Sequence, residues 1–397
     1  MRRVRSLSLA ALGLSVFGVA AGVGCGSTTT GTSGNDAGGK KDSSSEPEAG
    51  AGIVAPPAPT GPTTTSTTAQ NFAIHQLFLG DTDNNGTATP MYMGDPNAWK
   101  AFGYNLDGKI TTATSTNVCT LVNGGGENGP TVQVDGNGGI DNAFGAIIFD
   151  AFLTGTLYPT ASSKVNSELD EGTFTLMFDI TGLTSSPTQT ATGLSAEAFA
   201  GGDYPGGNPA FDSNTNWPVI GGSLLASTSP IKSAITFSDS YVVNGTWVSG
   251  APTTINLSLS IDGFNLALPI EQAQITFEHS TPAHAANGII AGIIPAAQLL
   301  KSISAIAGKF EASLCNSKTL DSILAPVIDS PDIVVGGPNN AGTTCDGISI
   351  GLGFTADEIA QPTTIAPATT GTPPCTDAGV VETGPVDSGS TDGPTGG

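Results

Sequence analysis

Arginine is missing from nearly all of this chain. Arg2, Arg3 and Arg5 are the only three, and nine lysines face 34 acidic residues. A protein that grips nucleic acid needs cations to displace the counterions on phosphates, so a net charge of −22 excludes that class. Histidine is almost as scarce, with His75, His279 and His284 alone. His279 and His284 stand five apart beside Pro282, which is not the helical spacing of a zinc protease, and a solvated loop is the expected setting. No two of the five cysteines have CxxC spacing, so a thiolate metal cluster is not expected. The glycine-rich segments lack the Lys-Ser/Thr that completes a phosphate-cradling loop. No Gly-x-Ser-x-Gly elbow is expected either, so an α/β-hydrolase triad is excluded from the reading.

What the chain has in abundance is glycine, 54 residues of it, together with Ser, Thr and Asn. Gly and Asn tolerate the positive φ of tight turns, so this composition suits many strands joined by short connections. The acidic excess keeps an exported protein soluble and attracts divalent cations.

The N-terminus gives an address. Three arginines precede an apolar run from Leu7 to Val23 that ends in small residues, the pattern of a secretory signal rather than of a membrane span. The run stops at Gly22-Val23-Gly24-Cys25-Gly26, which resembles the bacterial lipobox, with Gly22 where that signal usually has Leu. The resemblance implies a diacylglycerol on Cys25 after cleavage and a membrane partner through that anchor. Each buried methylene of the acyl chains adds roughly 0.8 kcal/mol of membrane affinity. Gly26 is not the Asp that retains such proteins in the inner membrane, so the expected site is the cell envelope at the outer membrane.

Residues 1–24 are thus read as the signal peptide. Residues 25–70 form a disordered Ser/Thr/Gly/Pro tether, because no apolar period repays the entropy of ordering them. Residues 71–360 make one globular domain and 361–397 a disordered acidic tail. Within the domain, Asn71–Leu79 reads as a first strand. Ala143 to Phe152 shows helical spacing. Phe174, Leu176, Phe178 and Ile180 alternate as on a half-buried strand. From Ser233 to Glu278 the sequence reads as a meander with Asn244-Gly245 and Asp262-Gly263 at hairpin turns. Ile289–Ile294 is a further strand, helices are expected over Pro295–Ala307 and Thr319–Ile328, and Gly347–Phe354 ends the series. Many antiparallel strands of this kind favour a mainly β fold, an antiparallel β-sandwich with a few helices packed at its ends; mixed α+β is the alternative.

Four cysteines remain after Cys25, and an even number in an exported chain implies disulfides. Three pairings are open. Cys315 with Cys345 and Cys119 with Cys375 is favoured, since the first closes a modest loop.

The chief chemical signal is Asp81-Thr82-Asp83-Asn84-Asn85-Gly86, the first half of an EF-hand-like loop. Asp81, Asp83 and Asn85 are its ligand positions, but Tyr92 stands where the closing Glu belongs. Asp107 and a second acidic turn with Asp135, Asn137 and Asp141 extend the set. Calcium needs six to eight oxygens, and carboxylates close together on a turning backbone can supply them. The same pairs also make ordinary turns. Trp217 and Tyr204, in a loop rich in Gly, Asn and Pro, are the candidates for stacking on a sugar, set against the tendency of Trp to be buried.

The strings Asn105-Leu106-Asp107-Gly108-Lys109, Asp135–Gly145 and Cys345–Phe354 resemble uncharacterised surface lipoproteins of myxobacteria, over about Phe72 to Phe354. The resemblance implies an address and no established activity. The leading expectation is a non-enzymatic binding or adhesive module with calcium-stabilised loops, whose partner is a glycan or another surface protein. An envelope polysaccharide hydrolase using paired carboxylates, or a structural subunit of an envelope complex, are the alternatives.

Overall fold

A computed structural model describes residues 52–82, 95–122, 132–148, 161–226, 231–261, 264–310, 315 and 318–367. Eleven strands are found among them: β1 (Ala69–Phe78), β2 (Thr175–Thr181), β3 (Ala191–Gly201), β4 (Leu224–Ala226), β5 (Lys232–Ser233), β6 (Ile235–Val243), β7 (Thr246–Val248), β8 (Thr253–Ile261), β9 (Phe264–Thr281), β10 (His284–Pro295) and β11 (Gly347–Glu358). The α-helices are α1 (Ala161–Asp170), α2 (Ala296–Phe310) and α3 (Lys318–Asp329).

Alternation builds the strands. In β11, Ile348, Ile350, Leu352, Phe354 and Ala356 point into the core, while Gly351 and Gly353 leave the outer face bare. β1 sends Phe72 and Ile74 inward, then bulges at His75, after which Leu77 takes the inward place. An extra residue shifts the parity of a strand, which is what a bulge does. The Asn244-Gly245 turn joins β6 to β7 with both residues at positive φ, 48° and 81°, the requirement of a type I′ hairpin. The expected Asp262-Gly263 turn lies outside the described residues, although Ile261 and Phe264 on either side of it are paired.

The strands run β10-β11-β1-β2-β3-β6-β7-β9, every neighbour antiparallel, and β9 pairs with β10 to close the ring. The sandwich expectation is therefore corrected to a closed eight-stranded barrel. The reason lies in β9, an 18-residue strand that serves three partners along its length. Its first half pairs with β8, and its second half lies between β7 and β10. A register shift between Ile270 and Ala273, with Gln272 at a φ of 51°, separates the halves. What reads as two strands of a meander is one strand that closes a barrel.

The barrel is filled. Eight strands leave an interior about wide enough for side chains, and Phe72, Phe178, Trp247, Phe277 and Phe354 occupy it with ring centroids 5.0–6.4 Å apart. All five are essentially without solvent contact, and each buried large apolar side chain stabilises by roughly 1.5–3 kcal/mol. His279 lies inside with them, its ring edge-on to Phe72 at 5.8 Å. Burial pushes the pKa of His279 down, opposed by the backbone of Pro282. This replaces the expected solvated loop.

The helices close the end where β1 and β10 finish and β11 begins. Leu299 and Ile303 of α2, Val327 of α3, and Val165 and Leu169 of α1 enter the barrel's own apolar cluster. Helix α1 is polar on its buried face for a specific reason. Asn166 accepts from the amide of Leu77 and donates to its carbonyl, and Ser162 accepts from the amide of Leu79, so α1 continues the hydrogen bonding of β1 past its last strand partner. The helical pattern expected over Ala143 to Phe152 is a π-helical turn at Phe144–Ile148, and its remainder lies outside the described residues. Residues 52–68, expected within the tether, run along the barrel. Ala55 is buried, Tyr241 Oη donates to the Pro56 carbonyl at 2.5 Å, and Thr63 bridges to Thr192. Among the described residues no helix is long and apolar enough to cross a membrane.

Candidate functional site

Beyond its pairing with β1, the first half of β11 has an open edge. Side chains fill it. Asn142 accepts from the amide of Gly351 and donates to its carbonyl, both at 2.9 Å, and Asp332 accepts from the amide of Ser349 at 2.8 Å. The segment around Phe102 lies flat against the strand, because a Cβ at Gly351 would sit 2.1 Å from the Phe102 carbonyl oxygen. Residues 99–111, 132–143 and 331–346 form a loop layer on this edge, and it is here that the acidic residues converge.

Asp141 is 5 % exposed and accepts from the amides of Leu106 (2.7 Å) and Asp107 (3.3 Å). Asp135 accepts from the amide of Thr111 at 2.5 Å. Asp107 accepts from the amide of Lys109 and from Asn339 Nδ2, the latter at 2.6 Å. Asp332 takes a second bond from the hydroxyl of Ser349 at 2.5 Å. Asp135, Asp141 and Asp332 line, with Asn339, Thr111 and Cys119, a cavity of about 10 Å³. That is the room of one water or one bare cation.

Lys109 turns its Nζ to oxygen atoms of the loops. It donates to the carbonyl of Asn117 at 2.5 Å, to the carbonyl of Asn339 and to Asn340 Oδ1 at 3.1 Å. Asp135 and Asp141 share a side-chain hydrogen bond, and the charges of the cluster otherwise repel one another. Burial pushes the Asp141 carboxyl up to about 9, and the charges of Asp107, Asp332 and Asp135 add to it against the Leu106 amide. Burial raises Asp135 to about 7, opposed by the Thr111 amide and reinforced by Asp107 and Asp332. Asp332 rises to about 6, again by burial first, with the hydroxyl and amide of Ser349 holding it down. The cluster is neutralised by protons or by a cation. Among the described residues, no three carboxylate, imidazole or thiol groups already stand as a ligand set, so a cation would have to draw the carboxylates inward.

The residues expected as calcium ligands divide. Asp107, Asp135 and Asp141 come together. Asp81 does not join them: its carboxylate accepts from the amide and hydroxyl of Ser162 and so caps α1. Asn137 is exposed in the turn Asn137–Gly139 and is not among the residues lining the cavity. Asp83 and Asn85 lie outside the described residues. Asp332 and Asn339 complete the group, and no Asp-Gly or EF-hand-like spacing marks them in the sequence.

A disulfide fastens this layer. Cys119 is bonded to Cys345, with Cα atoms 5.3 Å apart and a sequence separation of 226. The pairing of Cys315 with Cys345 and Cys119 with Cys375 is thereby corrected. Short loop length favoured it, but the Thr120–Thr344 bridge brings the distant pair side by side. Cys315 is disulfide-bonded as well. Cys25 and Cys375 lie outside the described residues.

Two further expectations change. Gly347-Ile348-Ser349-Ile350-Gly351 does carry the Gly-x-Ser-x-Gly spacing of a nucleophile elbow, yet it lies inside the regular strand β11 rather than on a strand-to-helix turn. Ser349 is wholly buried, and its hydroxyl donates to Asp332 and accepts from the amide of Ala143. Trp217 is not an exposed platform. It is fully buried, donates from Nε1 to the Gly202 carbonyl, and packs on Tyr204 at 5.3 Å and Phe211 at 5.6 Å. Tyr204 is its half-buried cover. These rings seal a second apolar cluster on the outside of the barrel with Ala73, Met177, Phe199, Val219 and Ile359.

The outer face of β10, β11 and β1 carries a separate polar group. Asp357 accepts from His75 Nδ1 at 2.5 Å through one oxygen and from His284 Nδ1 at 2.7 Å through the other. His75 Nε2 faces Asp170 at 3.6 Å. Burial would raise the pKa of Asp357, but the bonds and charges of the two imidazoles outweigh it and hold the carboxyl below its ordinary value.

Compared with models of protein families, with curated proteins and with solved structures, the chain matches none of them.

Proposed function

We propose that this chain is a lipid-anchored protein of the bacterial cell envelope, held at the outer membrane through Cys25. In this reading its barrel is a non-enzymatic binding or adhesive module, and a calcium ion ties down its loop layer. The observation that carries the calcium reading is the one-ion cavity lined by Asp135, Asp141 and Asp332, with Asp107 beside it. Three carboxylates around so small a space cost less with a divalent cation than with like charges alone, and calcium accepts the irregular oxygen sets that loops provide. The same volume argues against hydrolysis at this place, since no sugar residue enters 10 Å³. The support for the anchor is the cationic, apolar and small-residue succession that ends at Gly24-Cys25-Gly26. The partner in this reading is a glycan or another surface protein.

Calorimetric titration of calcium into the chelator-treated full chain tests the cation. The expected result is one saturable site that Asp141→Asn removes; no heat, or heat that persists in the variant, overturns it. Export in a bacterial host tests the anchor. Cys25→Ser is expected to move the protein from the membrane fraction to the soluble fraction, and an unchanged distribution contradicts lipidation.

A further inference from the structure

Residues 52–54 bring the chain onto the loop layer. The amide of Ile53 donates to the carbonyl of Gly138 at 2.8 Å, and its carbonyl accepts from the amide of Asn105 at 2.7 Å. The turn it joins is bare backbone, with Gly138 and Gly139 at positive φ, 59° and 81°. A Cβ at Gly138 would meet Ile53 Cγ1 at 2.8 Å, and one at Gly139 would meet Ile110 Cγ1 at 3.0 Å. The two isoleucines therefore flank the glycine pair. Next to Ile110, the Thr111 carbonyl accepts from the amide of Asp135 at 3.1 Å, which sets Val134 beside them. Ile53, Val54, Ile110 and Val134 are 46, 57, 44 and 48 % exposed, half of the eight large apolar side chains left exposed among the described residues. Apolar side chains gathered on one face mark a surface that meets something other than water.

The face is also free of charge. The chain has a net charge of −22, yet residues 52–68, 110–118, 132–134 and 136–140 hold no ionisable side chain. The charged residues that adjoin them are turned into the loops. Asp135 lines the one-ion cavity, and Lys109 donates to the carbonyls of Asn117 and Asn339. An acidic body is repelled by anionic lipid, so a neutral face is the part of it that can approach a bilayer. Isoleucine and valine ringed by Thr, Asn and Gly can enter the interfacial region there without taking a charge out of water. The entry point of the chain adds a second argument. Gly52 follows Cys25 by 27 residues, a reach of at most about 95 Å. An anchor at Cys25 thus holds this face near lipid at a high effective concentration, and a contact too weak for the free chain becomes occupied.

We propose that the face formed by Ile53, Val54, Ile110 and Val134 docks on the phospholipid surface that holds the anchor. The barrel then stands on the membrane through its loop layer, with the Trp217 side of β1, β2 and β3 left to the medium. The proposal rests on the lipid anchor read at Cys25 and does not depend on the calcium ion.

Hydrogen–deuterium exchange of the full chain, free and on vesicles of phosphatidylethanolamine and phosphatidylglycerol, tests it. Two attachments are compared: the chain's own lipidated N-terminus, and a histidine tag in place of residues 1–25 held by nickel-chelating lipid. The amides of Ile53, Asn105 and Asp135 are the reporters, and those of Gly202 and Val219 beside Trp217 are the reference. On vesicles the reporters are expected to exchange about three- to tenfold more slowly than in the free chain, the gain a tethered weak contact gives, with the reference unchanged. Ile53→Ser combined with Ile110→Ser is expected to abolish the slowing. Should that variant not fold, Val54→Ser with Val134→Ser, the two most exposed positions, decides. Slowing under the tag, in a chain whose own N-terminus proves to carry no lipid, supports the docking face and overturns the anchor alone. Equal rates on and off vesicles under both attachments, or slowing that survives in the variants, overturns the docking. So does a dimer of the free chain that the variants dissociate, which assigns the face to a second copy.

Discussion

At Asp141 a carboxyl is so enclosed that it keeps its proton to about pH 9, while an unfolded chain releases it near 3.8. Asp135 behaves likewise up to about 7. Between those limits the folded state binds more protons than the unfolded state, so its stability falls as pH rises. His279 works in the opposite sense. Its lowered pKa gives stability that is present above pH 6.5 and lost below it. The window from pH 7 to 9 therefore isolates the carboxyls. In chelator, the melting temperature is expected to fall steadily across that window. Asp141→Asn keeps an oxygen for the amides of Leu106 and Asp107 but has no proton to lose, so its melting temperature should vary less with pH. A slope unchanged in the variant would place the titration elsewhere. Little of this was legible in the sequence. Asp107, Asp135 and Asp141 stood out through their turns, and Asp107 does close one, on the amide of Lys109. Asp332 follows Ser330-Pro331 in no such pattern, and its place is set by the β11 edge it completes.

Among the strands and helices, legibility followed the direction in which side chains point. β2, β8 and β11 alternate and were visible; so were α2 and α3, whose apolar stripes face the barrel. Helix α1 was not. Its buried face carries Ser162 and Asn166, which look like loop residues until the open end of β1 is seen to need hydrogen-bond partners. Asn166→Ala leaves the amide and carbonyl of Leu77 unpaired in a buried place, and a loss of about 1–3 kcal/mol in chemical denaturation is expected. A loss within error would mean that α1 moves or that water replaces the amide. The glycines of β11 were legible as composition but not as contact. Gly351→Ala brings a methyl against the Phe102 carbonyl, and it should destabilise the loop layer as well as the strand. Heteronuclear spectra checking this should show shifts from Phe102 to Asn142; changes confined to β11 would contradict it.

At the scale of the barrel, most of its strands were legible, β3 (Ala191–Gly201) was not, and neither was the architecture. A hairpin such as β9–β10 has the same sequence signature in a sandwich and in a barrel. Closure depends on one long strand changing partners around Glu271–Ala273, and residue alternation does not encode that. The lumen then packs as a core, so Phe277→Ala is expected to cost about 3–5 kcal/mol in a denaturant titration. A much smaller cost would mean that the aromatic column repacks. The Cys119–Cys345 disulfide closes a separation of 226 residues, and its removal is expected to cost about 2–5 kcal/mol, felt first in the loop layer.

If a cation replaces the protons of Asp135, Asp141 and Asp332, the folded state must gain stability from calcium. A thermal melt of the full chain at pH 8, in chelator and in millimolar calcium, reads that gain. A ligand that binds only the folded state at a hundred times its dissociation constant adds about 2.7 kcal/mol. A rise of several degrees in calcium is expected, and it should disappear in Asp141→Asn. The same melting temperature in calcium and in chelator would contradict the cation and leave the carboxylates as the protonated ties of a purely structural loop layer.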